Sequence, residues 1–400
     1  MTTLLQVPFF EGCEKKIEIH FDAKDGDEAG MRQAGRQVWA AALAKAGITI
    51  ESETKAPEWD CYMLSESSLF VSRDRIVCKT CGQSAPLAIL ADALSHGDAL
   101  GCPALLVLFS RSNLLKPELQ KPMHRSFSAE RAFLDGKLQV PSNAYTFGDV
   151  HDAHWNLYVA QLRPFPTACH HRCMPTLEVA MYDLDPTAMA RWMSGMDAAA
   201  VAKEQVVAIS SALCPSPIVD DMVFDPCGYS MNAYGLGGTY CCVHVTPQDG
   251  CSFASFEASA EDPAQVAAVV QCLVELFRPA KVSTVLLELG DTISTPSFRF
   301  LDTAALGYAQ QAACAQLFHT PRVGMLAAGV EGGGRFRFSS FVDEARLLGI
   351  SRGAGELQGW AAIEGMGEQS SDSIRAYSNG NVQMVSAGAT ITTSATRSRL

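Results

Sequence analysis

Between Cys61 and Val71 the chain reads CYMLSESSLFV, which sets polar residues inside a run that otherwise has the apolar character of a buried strand. The polar residues extend from Ser65 to Ser68. Burying hydroxyls or a carboxylate without partners costs on the order of a few kcal/mol for each group. These side chains are therefore either hydrogen-bonded for structure or kept for reactivity. An edge strand with its polar face in water is the alternative interpretation.

The residues that follow this stretch predict a β-hairpin. Residues 72–75 have the composition of a turn, and residues 76–82 have that of a second strand. Because side chains alternate along a strand, Lys79 and Cys81 are expected on one face and the residues beside them on the other. The hairpin favours a reactive role for the polar stretch over an exposed edge.

The composition limits the size of the core and the kinds of partner that we expect. The chain has 400 residues, of which 48% are hydrophobic and 18% charged, so it can bury a large core as one large domain or two ordinary ones. The formal net charge of -12 argues against nucleic acid or an anionic membrane as a partner. A cationic small ligand suits this charge better.

The chain shows no sign of a membrane segment. No apolar run reaches the length that spans a bilayer, and residues 103–109 are predicted to form a core strand. Glu11 and Glu14 stand where a signal peptide would carry basic residues. We therefore expect a cytoplasmic protein whose 14 cysteines are reduced and mostly buried.

Two groups of cysteines were considered as metal sites. Cys78 and Cys81 would face opposite sides of a strand, and no second pair follows at the spacing of a zinc site. The segment from Cys169 to Cys173 contains two histidines, but it has the composition of a loop. No metal is expected at either place.

Periodicity predicts an α+β protein in which two sheets pack face to face between helices. Helices are predicted at residues 31–46, 86–95, 129–134, 186–193 and 263–277. Strands are predicted at residues 16–21, 62–71, 76–81, 104–109, 155–162, 177–182, 240–246, 253–258 and 282–289. Residues 331–400 contain three consecutive glycines at 332–334 and end in a Ser/Thr-rich stretch, and they are expected to form a flexible extension of a domain at 1–330.

Three motifs resemble those of eukaryotic S-adenosylmethionine decarboxylases, which are self-processing pyruvoyl enzymes of polyamine synthesis. The first is LSESSLFV at 64–71, followed by KTCG at 79–82. The second is FFEGCEK at 9–15, and the third is FDPCGYSMN at 224–232, which leads into HVTP at 244–247. The resemblance spans about residues 9–290 and implies an internally duplicated, four-layer αββα sandwich.

The resemblance implies that the chain cleaves its own backbone between Glu66 and Ser67, giving chains 1–66 and 67–400 that stay associated. The Ser67 hydroxyl would attack the preceding carbonyl, and β-elimination would then leave a pyruvoyl group. Ser230 and His244 would support this step. Taken alone, Ser230 and His244 could equally belong to a hydrolase or be ordinary strand residues.

The resemblance also implies how the substrate is handled. The pyruvoyl carbonyl would take the amino group of S-adenosylmethionine as a Schiff base and act as the electron sink for loss of CO2, so neither pyridoxal phosphate nor a metal is expected. Cys81 would then donate a proton to the substrate Cα. Its alternative role is that of a small buried hydrophobe.

Other matched residues would bind the substrate. Glu11 and Glu14 would face its cationic centre, and Phe10 and Phe224 would sandwich the adenine. Leu64 and Glu66 match further substrate contacts of the family. Gln248 stands where the family has a glutamate that binds the ribose hydroxyls, and this exchange predicts weaker binding.

A cluster of charged residues matches the site at which animal members bind putrescine. The matching residues are Glu18, Lys79, Thr176, Glu178 and Glu257. Met174 replaces an aspartate of that site. Lys16 stands where animal enzymes have an apolar residue and plant enzymes an arginine. Because buried carboxylates need a counter-charge, we hypothesise that Lys16 supplies what putrescine supplies elsewhere.

Two other classes remain open at this point. A hydrolase would use Cys81 or Ser230 with His244 and would keep an intact chain. A catalytically weak regulatory paralogue would be a non-enzyme member of the same family, but the joint presence of Ser67, Cys81 and His244 argues against it. A monomer and a homodimer are both compatible with the sequence.

Overall fold

The computed structural model describes the backbone of most of the chain. The described residues are 9–24, 26–65, 67–148, 154–164, 174–193, 198–260, 263–290, 309–316, 333–342, 373–378 and 381–386. The predicted Cys169–Cys173 loop and Glu66 lie outside this set.

In the described part of the chain, eighteen strands form two antiparallel sheets. They are β1 (Lys15–Phe21), β2 (Ile50–Lys55), β3 (Trp59–Leu64), β4 (Ser67–Ser72), β5 (Arg75–Thr80), β6 (Ala104–Ser112), β7 (Ser142–Gly148), β8 (His154–Gln161), β9 (Thr176–Leu184), β10 (Ile218–Val223), β11 (Tyr229–Tyr234), β12 (Tyr240–Thr246), β13 (Phe253–Ser259), β14 (Pro279–Gly290), β15 (Ala309–Gln316), β16 (Gly333–Val342), β17 (Ser373–Ser378) and β18 (Asn381–Ser386).

Each sheet is built mainly from one half of the chain. The first sheet, sheet A, has the order β18-β17-β7-β8-β6-β1-β5-β4-β3-β2. The second, sheet B, has the order β10-β11-β12-β13-β9-β14-β16-β15. Two strands from near the end of the chain, β17 and β18, return to sheet A, where β17 pairs with β7.

The helices divide between the outer faces of the two sheets. They are α1 (Gly35–Ala46), α2 (Leu90–Leu100), α3 (Phe127–Leu138), α4 (Pro186–Met189), α5 (Ala198–Ser210) and α6 (Pro263–Phe277). Short 3₁₀ turns at Gly30–Ala34, Pro86–Ile89 and Ala190–Trp192 adjoin α1, α2 and α4. Within the described residues, no helix is long and apolar enough to cross a membrane.

Side chains along each strand alternate between the two faces of its sheet. One face packs against helices and the other against the second sheet, which gives four layers. On β12, Cys241 and Val243 pack in the apolar core between sheet B and its helices, whereas Cys242 packs between the sheets. Trp39 of α1 packs with Ile17 of β1 in the matching core outside sheet A. The predicted four-layer αββα sandwich is therefore confirmed, and the order of elements in the two halves fits the predicted duplication.

One predicted strand is wrong in an informative way. Residues 62–71 were expected to form a single strand, but they form the ends of β3 and β4, which pair antiparallel with Leu64 opposite Ser67. Two residues therefore connect the strands, the commonest hairpin length. The polar stretch interrupts the apolar run because the chain reverses there.

The other predicted elements are found with small changes in their bounds. The predicted helix at 263–277 matches α6, and the predicted helix at 129–134 is longer in the structure. The sequence prediction missed α5 and the strands β2, β7, β10, β11 and β15 to β18. The boundary of the domain at residue 330 stays a prediction. Beyond it the structure describes β16, which pairs with β14, and the β17–β18 hairpin.

Gly12 gives a test of the packing between the sheets. A Cβ at Gly12 would lie 2.6 Å from the Cβ of Phe253, which is 2% exposed. We expect Gly12→Ala to lower the free energy of unfolding by about 1–3 kcal/mol through overpacking, measured by urea denaturation. Gly136→Ala is the control, since a Cβ on this glycine of α3 meets nothing within 4 Å, and it should stabilise by about 0.5–1 kcal/mol. An unchanged midpoint for Gly12→Ala would contradict this account.

Candidate active site

Ser67 is the first residue of β4, in the hairpin that joins β3 to β4. Its hydroxyl lies between a carboxylate and an imidazole. Its Oγ donates to Oε1 of Glu14 at 2.9 Å and lies 3.1 Å from Nε2 of His244. Nδ1 of His244 is 2.6 Å from the same Glu14 oxygen. Nδ1 also lies 3.2 Å from Ser67, but we assign it to Glu14 because that contact is the shorter one. All three side chains are buried, so the group is shielded from water.

The backbone of Ser67 is strained. Its φ is +134°, in the region that favours glycine. Such residues persist where their surroundings hold them, and they concentrate at functional sites. The conformation also disturbs the alternation of side chains, because the Oγ atoms of Ser67 and Ser68 both contact His244. Consecutive residues of a regular strand would point to opposite faces.

Ser68 and Asn232 join the hairpin to sheet B. The Ser68 hydroxyl is 2.8 Å from Nε2 of His244 and donates to Oδ1 of Asn232 at 2.5 Å. The Asn232 amide donates to the carbonyl of Tyr62 at 3.2 Å. The sequence analysis did not select Ser68 or Asn232 as site residues, although each belongs to one of the quoted motifs. Ser230 is buried on β11, opposite His244 in the strand register.

Lys79 connects this group to a buried charge cluster. Its Nζ lies 3.0 Å from Glu14, 2.9 Å from Glu257 and 3.5 Å from Glu178. Burial raises the pKa of Glu14, but the charges of Lys79 and His244 outweigh burial and hold that pKa well below the usual range. The structure thus places an ionised carboxylate beside Ser67.

Lys16 occupies the centre of the same cluster. Its Nζ lies 2.5 Å from Glu178, 3.5 Å from Glu257 and 3.8 Å from Glu18. Burial lowers the pKa of Lys16, but these three carboxylates outweigh burial and raise it. Burial raises the pKa of Glu178. Lys16 therefore carries its charge at the point where the carboxylates converge.

The far end of the cluster contains residues that the sequence analysis did not select. Glu18 Oε1 is shared by Nε of Arg75 at 2.8 Å and Nε2 of His20 at 2.6 Å. Arg75 also donates to Oγ1 of Thr176 at 3.3 Å. The hydroxyl of Tyr240 donates to Glu257 at 2.5 Å. Alternation on β1 could have shown that Lys16, Glu18 and His20 share a face.

Cys81 follows β5 in a turn held by its backbone. The N–H of Gly82 donates to the carbonyl of Glu11 at 2.7 Å, and the hydroxyl of Ser84 donates to the carbonyl of Cys81 at 2.5 Å. The Glu11 carboxylate accepts a bond from the N–H of Lys116 at 2.9 Å. Cys81 is 8% exposed, and its turn lies against the segment that contains Glu11.

The remaining predicted substrate residues lie on separate segments. The N–H of Phe10 donates to Oε1 of Gln248 at 2.8 Å, and the thiol of Cys251 donates to the same oxygen at 3.1 Å. Gln248 thus holds the segment that presents Phe10. Phe224 is half-buried, and its N–H donates to the carbonyl of Gly228 at 2.9 Å. Leu64 is buried at the end of β3.

Comparison with known proteins assigns the family. Residues 7–320 match the model of the family described as adenosylmethionine decarboxylase. The S-adenosylmethionine decarboxylase proenzyme of Dictyostelium discoideum is 37% identical over 289 residues, covering 69% of this chain and 74% of that protein. The protein of the same name from Oryza sativa subsp. japonica is 35% identical over 295 residues, covering 70% and 72%. That from Drosophila melanogaster is 32% identical over 283 residues, covering 68% and 81%.

These matches first define a class, the decarboxylases, and confirm that the chain is an enzyme of that class. The chain belongs to the adenosylmethionine decarboxylase family. The resemblance found in the sequence motifs is therefore confirmed.

Proposed function

We propose that the chain cleaves itself between Glu66 and Ser67 and then decarboxylates S-adenosylmethionine, whose product serves spermidine and spermine synthesis. The observation that carries this proposal is the strained backbone of Ser67, whose hydroxyl contacts both Glu14 and His244. A hydroxyl in this setting can lose its proton to a neighbouring base as it attacks a carbonyl.

Self-cleavage assigns a role to each side chain at the hairpin. The Ser67 hydroxyl attacks the carbonyl of Glu66, its proton passes to the Glu14–His244 pair, and the amide becomes an ester. The new amino group of Ser67 takes up a proton. Loss of the Ser67 Cα proton then expels the carboxylate of Glu66, and hydrolysis of the remaining unsaturated residue releases ammonia and leaves a pyruvoyl group. Ser230, opposite His244 in the register, supports this step.

The residues around Ser67 fit a carbonyl group at this position, which would act as an electron sink when CO2 is lost. Cys81 supplies the proton to the substrate Cα. Glu11 and Glu14 face the cationic centre of the substrate, and Phe10 and Phe224 hold the adenine. Leu64, Glu66 and Gln248 complete the substrate contacts. The turn at Gly82 and the bond between Phe10 and Gln248 support this arrangement, because they fix two of these segments.

The charge cluster makes the site independent of an added cation. Lys16 lies among Glu18, Glu178 and Glu257, where it supplies the positive charge that a bound diamine would otherwise supply. Lys79 pairs with Glu14 and so balances the charge of the carboxylate that contacts Ser67. We also propose a cytoplasmic location and continued association of the two cleaved pieces.

Mass spectrometry tests self-cleavage. We expect the purified protein to yield pieces 1–66 and 67–400, the larger with a blocked terminus that borohydride reduces. Ser67→Ala should remain one intact chain. Ser65→Ala, in the same hairpin but hydrogen-bonded to the N–H of Thr49, should cleave like the wild type. An intact wild-type chain that hydrolyses esters would support the hydrolase alternative, and a cleaved chain without decarboxylase activity would support the regulatory paralogue.

Decarboxylation with and without millimolar putrescine tests the role of Lys16. We expect no stimulation of the wild type, because the counter-charge is already present. Lys16→Met should lose at least about tenfold in kcat, because the uncompensated buried carboxylates would take up protons or draw Lys79 away from Glu14, and putrescine should restore part of the activity. Lys45→Met, which removes an exposed lysine, is the control. A several-fold stimulation of the wild type would refute the assignment.

Steady-state kinetics of Gln248→Glu test the substrate contact at that position. A charged acceptor is typically worth roughly 1 kcal/mol more than an amide, so we expect KM to fall by up to about tenfold. Gln205→Glu, on the exposed face of α5, controls for the added negative charge. Identical constants for Gln248→Glu and the wild type would exclude a ribose contact for this side chain.

A further inference from the structure

Lys15 is a buried cation that the proposed chemistry does not yet use. It is the first residue of β1, its side chain is 0% exposed, and in the strand register it lies opposite Thr80. Its Nζ donates to the carbonyl of Gly82 at 2.9 Å and to Oε1 of Gln120 at 3.0 Å. Both acceptors are neutral.

The partners of Lys15 differ from those of the other buried lysines. Lys16 and Lys79 each pair with three carboxylates, whereas no carboxylate in the described part of the chain forms an ion pair with Lys15. A buried ammonium group without a counter-ion is costly, and burial lowers its pKa. A group held at such cost is a candidate for function.

Other charged groups lie around Lys15 but are engaged elsewhere. Arg111 pairs with Glu130 at 2.8 Å, and Nδ1 of His124 lies 2.9 Å from the same carboxylate. The Glu11 carboxylate accepts from the backbone of Lys116. Burial lowers the pKa of Lys15, whereas the nearby Cys81, Glu11 and Glu130 act against burial and favour the charged form.

The contact with Gly82 links Lys15 to the proton donor. Gly82 directly follows Cys81, has φ +61°, and is held by Glu11 through its N–H and by Lys15 through its carbonyl. The ammonium group therefore contacts the carbonyl of the residue that follows Cys81, on a backbone that cannot move away without breaking both bonds. A fixed positive charge near a cysteine favours a thiolate over a thiol.

We propose that Lys15 is a positioning residue that keeps a positive charge beside Cys81, which makes the thiol a stronger acid for protonating the substrate. When Cys81 donates, its S–H bond breaks, a C–H bond forms at the substrate Cα, and the electron pair stays on sulfur. The ammonium group of Lys15 stabilises that thiolate until water returns the proton. The inference rests on the proposed role of Cys81 in the preceding subsection.

Site-specific alkylation tests this role without relying on activity. Iodoacetamide labelling of the Cys81 peptide, followed by mass spectrometry across pH, reports the midpoint of thiolate formation in the cleaved enzyme. We expect Lys15→Met to move the midpoint upward by about one pH unit, so that labelling at neutral pH is about tenfold slower. Lys45→Met should behave like the wild type.

Gln120→Glu provides a second variant of nearly unchanged volume. It places a carboxylate at the atom now 3.0 Å from the Lys15 ammonium group, and this should neutralise the field at Cys81 and raise the midpoint in the same direction. It keeps the test decisive if Lys15→Met does not fold. Lys15→Arg keeps the charge and should keep the midpoint.

The pH dependence of kcat distinguishes an electrostatic role from a structural one. A thiol donor acts in its protonated form, so its activity is lost as pH rises through its pKa. Lys15→Met and Gln120→Glu should therefore move the alkaline limb of kcat to higher pH. Both should lower kcat at neutral pH and leave KM unchanged.

The two proposals fail in different ways. Unshifted alkylation midpoints in both variants would overturn the role of Lys15, even if the wild type cleaves itself and decarboxylates its substrate. A wild type that does neither would instead overturn the proposed function. A lower kcat without a shift in the alkaline limb would assign Lys15 a structural role only and would also overturn the inference.

Discussion

The interaction on which the site depends is the ion contact of Lys79 with two carboxylates of sheet B and one from the segment before β1. Lys79 lies on sheet A, Glu178 and Glu257 lie on sheet B, and Glu14 lies just before the first strand. Buried carboxylates repel one another and would take up protons without a counter-charge. With Lys79 present, Glu14 stays ionised and can hold both the Ser67 hydroxyl and the imidazole of His244. The two sheets can thus pack face to face at this point because the buried charges between them are balanced.

The two neighbouring lysines of β1 show how a strand assigns different tasks to adjacent residues. Lys16 points between the sheets and compensates carboxylates, whereas Lys15 donates to neutral oxygens beside Cys81. Alternation along one strand therefore places one ammonium group among the carboxylates between the sheets and the other against the turn that follows Cys81.

The sequence predicted the layers of the fold and most of the residues that surround Ser67, because apolar periodicity and local motifs carry that information. It could not reveal the φ of Ser67, which brings two adjacent serines to one imidazole. It missed β11 because Ser230 and Asn232 interrupt its apolar pattern, and Asn232 is satisfied only by partners on the other sheet. It missed β2 because this edge strand, IESETK, is mostly polar. Pairings distant in sequence leave no local signal.

The position of β1 has a consequence for a chain that has been cut at the hairpin. Strand β1 lies between β5 and β6, so a strand of the smaller piece is hydrogen-bonded on both sides to strands of the larger one. The pieces would therefore remain one folded body, but they would no longer share a covalent backbone. Once unfolded, they would have to meet by diffusion before the sheet could form again. Refolding would then depend on protein concentration, and the stability of the mature protein would be governed by its rate of unfolding.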